Sequence, residues 1–147
     1  MQKTEIEQRV RQFIETCQHH QLKITPQRVA IYRALVQSRQ HPTADVMFRT
    51  VKKEFPNISF DTVNRTLLTF AGIGVVDVVE AFGGPKRFDP DLADHHHLIC
   101  VACGKIIDFE YERYAHLEVP QAIAQKFTVL GKRVVLKGLC EACGQKQ

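Results

Sequence analysis

Residues 42–74 read PTADVMFRTVKKEFPNISFDTVNRTLLTFAGIG, and this stretch decides the fold of the N-terminal half. Thr43 and Ser59 are typical N-cap residues, and each precedes apolar side chains at helical spacing. Pro56-Asn57 separates the two helices, and glycines end the second one. The side chains expected to face the core are Val46, Met47, Val51 and Phe55 in the first helix and Val63, Leu67, Leu68 and Phe70 in the second.

Two further helices are predicted upstream. The capping-box pattern Thr4-x-x-Glu7 indicates where the first begins. Thr25-Pro26 begins the second, because Thr suits the N-cap and Pro suits the first helical position. The apolar stripes are Ile6, Val10, Phe13, Ile14 and Cys17 in the first helix, and Val29, Tyr32, Leu35 and Val36 in the second.

Downstream of these helices the pattern changes to short strands. Residues 75–82 are rich in β-branched side chains and predict a strand. Gly83-Gly84-Pro85 predicts a turn, and residues 86–88 predict a second strand that runs back along the first, so a β-hairpin is expected. Helices followed by a hairpin are the outline of a winged helix-turn-helix. Strands at 98–100, 106–110 and 130–139 and a helix at 120–127 predict a small α/β domain. The expected fold class is α+β, with domain 1–88, a linker and hinge 89–94, and domain 95–147.

Charge and cysteine divide unevenly along the 147-residue chain. Residues 1–88 hold 13 Lys and Arg against 8 Asp and Glu, whereas residues 89–147 hold 7 against 8 and four of the five cysteines. This asymmetry suggests a polyanion-binding half joined to a metal-binding half. No apolar run approaches the roughly 18–20 residues that a membrane span needs. The charged N-terminus lacks the apolar core of a signal peptide, so a cytoplasmic protein is expected.

Two CxxC pairs, Cys100-Val-Ala-Cys103 and Cys140-Glu-Ala-Cys143, are the strongest local signal. Two such turns can complete a tetrahedral four-sulfur site, which has no open position and suits structural zinc. A glycine follows each pair and predicts a turn with positive φ. The alternatives are redox-active CxxC motifs or buried thiols. Cys17, on the apolar face of the first helix, is expected to be a core thiol.

A run of histidines, Asp94-His95-His96-His97, precedes the first CxxC pair. On a strand, His95 and His97 point to one face and His96 to the other. Two imidazoles on one face suit a divalent metal, and carboxylates would complete a site for iron or manganese as well as zinc. The alternative is a solvated histidine run beside a turn. The nearby carboxylates are Asp89, Asp91, Asp94 and Asp108, among which the pattern does not choose.

The helix that begins after Ser59 is the candidate recognition helix, whose N-terminal residues reach base edges in this class of domain. Arg65 suits guanine and Asn64 suits adenine. The alternative is that these are ordinary solvated side chains. The candidate base-reading residues are Ser59, Phe60, Asp61, Thr62, Asn64 and Arg65, and the candidate phosphate contacts are Arg28, Arg49, Lys52, Lys53, Lys86 and Arg87.

Several stretches together resemble the ferric uptake regulator family. They are HPTADVMFRTVKKEFPNISFDTVNRTLLTFAGIGVV, RFD, DHHHLICVACGKIIDFE and GLCEACG, and the resemblance runs from about Leu22 to Gly144. It implies a homodimeric, metal-dependent repressor that binds palindromic operator DNA through domain 1–88 and dimerises through domain 95–147. The implied structural zinc ligands are Cys100, Cys103, Cys140 and Cys143. The implied ligands of a regulatory Fe²⁺ or Mn²⁺ are His41, Asp89, His95, His97 and Asp108.

The two carboxylates of that regulatory set point to one branch of the family. Asp89 and Asp108 stand where iron-uptake members typically have Glu, and this resembles the peroxide-responsive repressor branch. In that branch bound Fe²⁺ reacts with hydrogen peroxide, a ligand histidine is oxidised and DNA is released. The implied oxidation targets are His41 and His95. An iron- or manganese-availability sensor is the nearest alternative.

The sequence departs from the family pattern at two further positions. Asn64 replaces a DNA-contacting Tyr, although Arg65 is retained. Lys132 stands where some members have the histidine of an additional metal site, to which Asp94 and His96 could contribute. More distant alternatives are a small metalloenzyme and a thiol oxidoreductase. The sequence offers no nucleophile motif and no phosphate-cradling glycine loop, so we expect a regulator and not an enzyme.

Overall fold

A computed structural model describes residues 2–38, 40–80, 84–129 and 131–145. The chain divides into two compact units, Met1–Leu92 and Ala93–Gln147. Over the described residues, no helix is long and apolar enough to cross a membrane. Three parts of the predictions lie outside the described residues: the end of the predicted strand 75–82, at residues 81 and 82; Gly83 of the predicted turn; and residue 130 of the predicted last strand.

The first unit consists of helices followed by a hairpin, as predicted for a winged helix-turn-helix. Thr25, Thr43 and Ser59 cap the last three helices, because each hydroxyl accepts a hydrogen bond from a backbone N–H three residues on. The elements are α1 (Lys3–His19), α2 (Pro26–Gln37), α3 (Ala44–Lys52), α4 (Phe60–Gly72), β1 (Asp77–Glu80) and β2 (Lys86–Asp89).

The predicted start of α1 is wrong. The helix begins at Lys3, with Gln2 at the N-cap and no side-chain cap, so Thr4 lies inside the first turn. The backbone carbonyl of Gln2 already accepts the N–H of Ile6 at 3.1 Å. Nothing in the preceding sequence stops the helix, so it extends upstream of the capping-box pattern.

An aromatic cluster holds these helices together. Phe13 of α1 stacks on Tyr32 of α2 at 4.2 Å between ring centroids and meets Phe70 of α4 edge-on at 4.9 Å. Two expected core residues are on the surface, since Val46 and Leu68 are each 40% exposed. Their neighbours Met47 and Leu67 are buried instead, because successive helical residues are rotated by about 100°.

Strand β2 of the wing is paired on both of its sides. β1 and β2 are antiparallel, with Val79 opposite Arg87 and Asp77 opposite Asp89. On its other side β2 meets the chain just before α3, where the Phe88 N–H donates to the Pro42 carbonyl at 3.0 Å. A bridge between Thr43 and Arg87 extends this pairing. Phe88 is buried, so it fixes which face of β2 points inward.

The second unit is a three-stranded mixed sheet in the order β4-β3-β5. β3 is antiparallel to β4 and parallel to β5, so the chain crosses over between β4 and β5. The helix predicted at 120–127 and the strand predicted at 130–139 are shorter in the structure, and neither the 3₁₀ helix nor the last helix was predicted. The elements are β3 (His96–Cys100), β4 (Ile106–Phe109), the 3₁₀ helix (Glu112–His116), α5 (Gln121–Ala124), β5 (Val135–Gly138) and α6 (Glu141–Gly144).

This second unit has little apolar core. Its buried residues are dominated by Ile99, Cys100 and the three histidines at 95–97. Many of its large apolar side chains are exposed instead: Val101, Ile107, Leu117, Ile123, Phe127, Val129, Val135, Leu136 and Leu139.

Candidate metal sites and nucleic-acid interface

Four cysteines converge at one end of the second unit. Cys100 ends β3, Cys103 follows in the turn, and Cys140 and Cys143 lie at the start of α6 and within it. Their sulfurs all lie within 4.8 Å of one another, and Cys103 Sγ is 3.8 Å from Cys140 Sγ. Sulfurs at about 2.3 Å from a tetrahedral zinc lie roughly 3.8 Å apart. All four cysteines are free thiols, so this cluster suits a structural zinc ion.

Backbone N–H groups favour thiolate at this cluster. The N–H of Cys103 and then that of Cys140 lower the pKa of the Cys100 thiol to about 6. Cys140 N lies 3.3 Å from Cys100 Sγ and donates to it. Hydrogen bonding with the Cys140 sulfur, and then with Cys100, raises the pKa of Cys143 to about 12. Because zinc binds thiolates, its binding would displace the protons that remain on these cysteines.

The two glycines that follow the CxxC pairs behave differently. Gly104 has φ +77 and allows the first turn, as expected. Gly144 is the last residue of α6, where its N–H donates to the Cys140 carbonyl at 2.8 Å. The predicted positive φ at the second pair is therefore wrong, because that pair lies on a helical turn.

In the first unit, His41 and Asp89 form a buried imidazole–carboxylate pair. His41 Nε2 is 3.4 Å from Asp89 Oδ2, and both side chains are almost inaccessible to solvent. His41 has φ +47, a left-handed conformation that is uncommon for a residue with a side chain. The Asp91 N–H donates to Asp89 Oδ1 at 2.9 Å and orients the carboxylate.

In the second unit, His95, His97 and Asp108 bring their donor atoms within 4.8 Å of one another. Asp108 Oδ1 is 3.2 Å from His97 Nε2 and 4.0 Å from His95 Nε2. His97 and Asp108 face each other in the β3–β4 register. Both groups, this one and the His41–Asp89 pair, offer imidazole nitrogens and carboxylate oxygens, which are ligands that suit iron or manganese.

A second hydrogen bond fixes the orientation of His95. Its Nδ1 lies 2.7 Å from the Ala93 carbonyl and 2.9 Å from Arg133 Nη1, and these contacts turn the Nε2 side of the ring toward Asp108. Arg133 Nη1 donates to the His95 carbonyl at 2.6 Å. The sequence analysis missed Arg133, because the parallel β3–β5 pairing that brings it beside His95 leaves no local signal.

His96 points to the other face of β3, as the alternation predicts. Its ring centroid lies 5.1 Å from that of Tyr114 and 5.8 Å from that of Phe109. The Val134 N–H donates to His96 Nδ1 at 3.0 Å, and burial lowers the pKa of His96. His96 also borders a cavity of about 540 Å³ together with Asp94 and Lys132.

The candidate recognition helix α4 presents an exposed polar face. Ser59 and Thr62 are occupied by the cap, since the Ser59 hydroxyl accepts the Thr62 N–H at 3.0 Å. Asp61 Oδ2 lies 3.0 Å from Arg65 Nη2, and these side chains are 67% and 78% exposed. Asn64 lines a groove with Lys86 and Phe88 of the wing.

Two of the candidate phosphate contacts are engaged by backbone carbonyls. Arg28 Nη1 donates to the Lys23 carbonyl at 2.6 Å, and Arg87 Nη1 lies 3.5 Å from the His41 carbonyl. The others are Arg49 and Lys52 on α3, Lys53 just after α3, and Lys86 at the start of β2. Lys52 also stands 5.2 Å from the centre of the Phe48 ring.

The sequence profile of the ferric uptake regulator family matches residues 19–137. The chain belongs to this family. It is 36% identical to the peroxide-responsive repressor PerR of Staphylococcus aureus over 141 residues, 96% of this chain and 95% of that protein. Members of the ferric uptake regulator family are transcriptional regulators and not enzymes, so the metalloenzyme and thiol oxidoreductase alternatives are set aside.

Solved structures of the ferric uptake regulator family confirm the α+β fold. The Helicobacter pylori ferric uptake regulator is similar with a TM-score of 0.74 at 20% identity, over 95% of this chain and 93% of that one. The Campylobacter jejuni peroxide stress regulator is similar with a TM-score of 0.66 at 28% identity, over 88% and 98%. The chain is thus a metal-responsive repressor of this family, with a cysteine cluster that suits structural zinc and His/Asp groups that suit regulatory iron or manganese.

Proposed function

We propose that this repressor senses hydrogen peroxide through Fe²⁺ held by His41, Asp89, His95, His97 and Asp108. The observation that carries the proposal is the pairing of each Asp carboxylate with a buried imidazole, at 3.4 Å for His41 and Asp89 and at 3.2 Å for His97 and Asp108. The similarity to the Staphylococcus aureus protein, which is named a peroxide-responsive repressor, also supports the proposal.

The ligand sets explain how an ion would control the repressor. His41 and Asp89 belong to the predicted domain 1–88 and its linker 89–94, and the other three ligands belong to domain 95–147. In this proposal one ion takes ligands from both sets, so binding fixes the orientation of two DNA-reading domains in a dimer. Loss of a single ligand then releases that constraint.

Histidine oxidation is the proposed signal. Hydrogen peroxide would be the two-electron oxidant in the net step: one of its oxygen atoms would enter a ring C–H bond of His41 or His95, and the other would leave as water. Bound Fe²⁺ would supply the redox chemistry that activates the peroxide. His95 is poised as a ligand by the Nδ1 contact with the Ala93 carbonyl at 2.7 Å. An oxidised ring is a poorer ligand, so the ion leaves and the repressor releases its operator.

We propose that the functional species is a homodimer on palindromic operator DNA. The exposed apolar side chains of the second unit support a second copy as their cover. Val135 and Leu136 are among them and lie on β5, an outer strand of the sheet. The free cysteines suit the cytoplasm, where thiols stay reduced.

The test compares the iron-loaded and manganese-loaded dimers before and after micromolar peroxide. Operator binding is followed by fluorescence anisotropy, and peptide masses are read at His41 and His95. We expect only the iron form to release DNA and to gain the mass of one oxygen atom at either histidine. The exposed pair His19 and His20, at the C-terminal end of α1 and just after it, serves as an internal control for unspecific oxidation.

Retained binding with no added oxygen at His41 or His95 would overturn peroxide sensing. The alternative, a sensor of iron or manganese availability, is favoured by a ligand set that suits both metals. It predicts that DNA binding follows the metal concentration and ignores peroxide. A His41→Ala variant should lose metal-dependent binding in either case while keeping its zinc, and His20→Ala should keep both.

A further inference from the structure

The recognition helix carries an ion pair on the surface proposed to meet DNA. Asp61 Oδ2 and Arg65 Nη2 are 3.0 Å apart, one helical turn from each other, and most of each side chain is exposed. An ion pair this exposed contributes little to the stability of a protein. An acidic side chain also opposes binding of a polyanion. Neither the ion pair nor general attraction to DNA therefore accounts for an acidic side chain at position 61, and we look for its role in the contact between the helix and DNA bases.

Most of the side chains around Asp61 are already engaged within the protein. Ser59 and Thr62 form the cap, and the Thr66 hydroxyl donates to the Thr62 carbonyl at 2.7 Å. Phe60 packs edge-on against Phe48, with ring centroids 5.9 Å apart. Asp61, Asn64 and Arg65 remain as the polar side chains of the first two turns that extend outward, and Asp61 is the acid among them.

A carboxylate discriminates among base edges in the major groove. Guanine and thymine present acceptors there, and adenine presents its N7 acceptor beside its amino group. Cytosine presents its N4 amino group as a donor, which is the contact that Asp and Glu make with DNA bases. Arg65, in turn, suits the O6 and N7 acceptors of guanine.

We propose that Asp61 is a specificity-determining residue, which accepts a hydrogen bond from a cytosine amino group beside the base pair that Arg65 contacts. The inference rests on the proposed operator binding. In the free protein the two side chains neutralise each other. On a matching duplex the ion pair is exchanged for two base contacts. Guanine or thymine in place of the cytosine would face the carboxylate with acceptors, and adenine would place its N7 acceptor beside its amino group.

A second ion pair offers a matched control. Asp45 Oδ2 and Arg49 Nη2 on α3 are 3.1 Å apart, with the same four-residue spacing and similar exposure. Asp45→Asn and Asp61→Asn each remove one negative charge from the first turn of a helix. Only Asp61→Asn alters the recognition helix.

The experiment uses the full-length, manganese-loaded protein. An operator is recovered from random duplexes with the wild type, and every single base-pair substitution of it is then tested with wild type, Asp61→Asn and Asp45→Asn. We expect Asp61→Asn to reduce discrimination at one cytosine position by about tenfold and to strengthen binding to random duplexes. Asp45→Asn should leave the pattern of base preference unchanged.

Two results would overturn the inference alone: an Asp61→Asn preference identical to that of the wild type at every base pair, or the same change in Asp45→Asn. A wild-type protein that enriches no duplex overturns the proposed operator binding and this inference with it. Thermal melts of both variants should match the wild type, because the substituted side chains are exposed.

Discussion

The two units of this chain are held together by different kinds of interaction. In the first, Phe13, Tyr32 and Phe70 pack against one another within a core contributed by four helices and the wing. In the second, the buried positions are largely occupied by histidines and a cysteine, while aliphatic side chains such as Leu136 face solvent. The first unit therefore folds by burying apolar surface, whereas the second buries side chains that can bind a metal and leaves much of its apolar surface exposed.

The two kinds of interaction suit the different roles expected of the two units. A domain that must present a rigid helix to DNA benefits from a core that is independent of any ligand. A domain that must respond to an ion benefits from buried side chains that can bind that ion. Four predictions, from the largest expected effect to the smallest, test the contrast.

Removal of zinc should have the largest effect, and it should be confined to the second unit. Cys100→Ser deletes one of four sulfurs that lie within 4.8 Å of one another. Structural zinc contributes apparent free energies of about 10–16 kcal/mol to small zinc-dependent domains. We expect the variant to lose its zinc and the ordered amide NMR signals of residues 93–147.

The control for this variant is Cys17→Ser, which removes a buried thiol from the first unit. It should lower the stability of that unit and leave the zinc content unchanged. Zinc retained by Cys100→Ser, or unfolding of both units together, would contradict the contrast. Metal content by mass spectrometry and an amide NMR spectrum decide between these results.

Truncation in the aromatic cluster should affect the first unit alone. Phe70 is fully buried and meets Phe13 edge-on. Phe70→Ala should lower the free energy of unfolding by about 3–5 kcal/mol. Urea denaturation measures the change, and zinc content should stay constant. Leu68→Ala on the same helix removes an exposed side chain and should change that free energy by less than about 1 kcal/mol.

The exposed outer face of the second unit should matter for association and little for the fold of one subunit. Leu136→Lys places a charge on β5, and we expect the dimer dissociation constant to rise by about tenfold or more. Analytical ultracentrifugation measures it. Val46→Lys, at a similarly exposed apolar site of the first unit, is the control. Equal weakening by both variants would argue against β5 as part of the interface.

The smallest expected effect is at a helix cap. The Ser59 hydroxyl accepts the Thr62 N–H at 3.0 Å and also contacts the Thr62 hydroxyl at 2.9 Å. Ser59→Ala should lower the free energy of unfolding of the first unit by about 1 kcal/mol. A Ser59→Asp variant, which can still cap, should restore it. Loss of stability in both variants would show that the hydroxyl acts through another contact.

Sequence patterns were sufficient for the helices of the first unit because their signals are local. Thr25, Thr43 and Ser59 mark helix starts through hydrogen bonds that span only three residues. Val46 and Leu68 were misplaced since each lies beside another apolar residue, and only tertiary packing decides which of two neighbours is buried.

The second unit was harder to predict, because its strands are assembled by long-range contacts. The CxxC spacing indicated the cysteine cluster directly. The parallel pairing of β3 with β5 joins residues 38 apart, such as Leu98 and Leu136, and brings Arg133 beside His95. No pattern within a short window encodes such a pairing.

The position of Phe88 has a consequence for how substitutions in this protein should be interpreted. Along β2 the side chains alternate, so Phe88 faces the core and sets the register that places Arg87 and Asp89. A slip by one residue would bring Arg87 toward the core and separate Asp89 from His41. In a mutational scan, losses at Phe88 would therefore resemble those of a residue that affects both the His41–Asp89 pair and the charged side chain of Arg87, because this side chain sets the register of the strand.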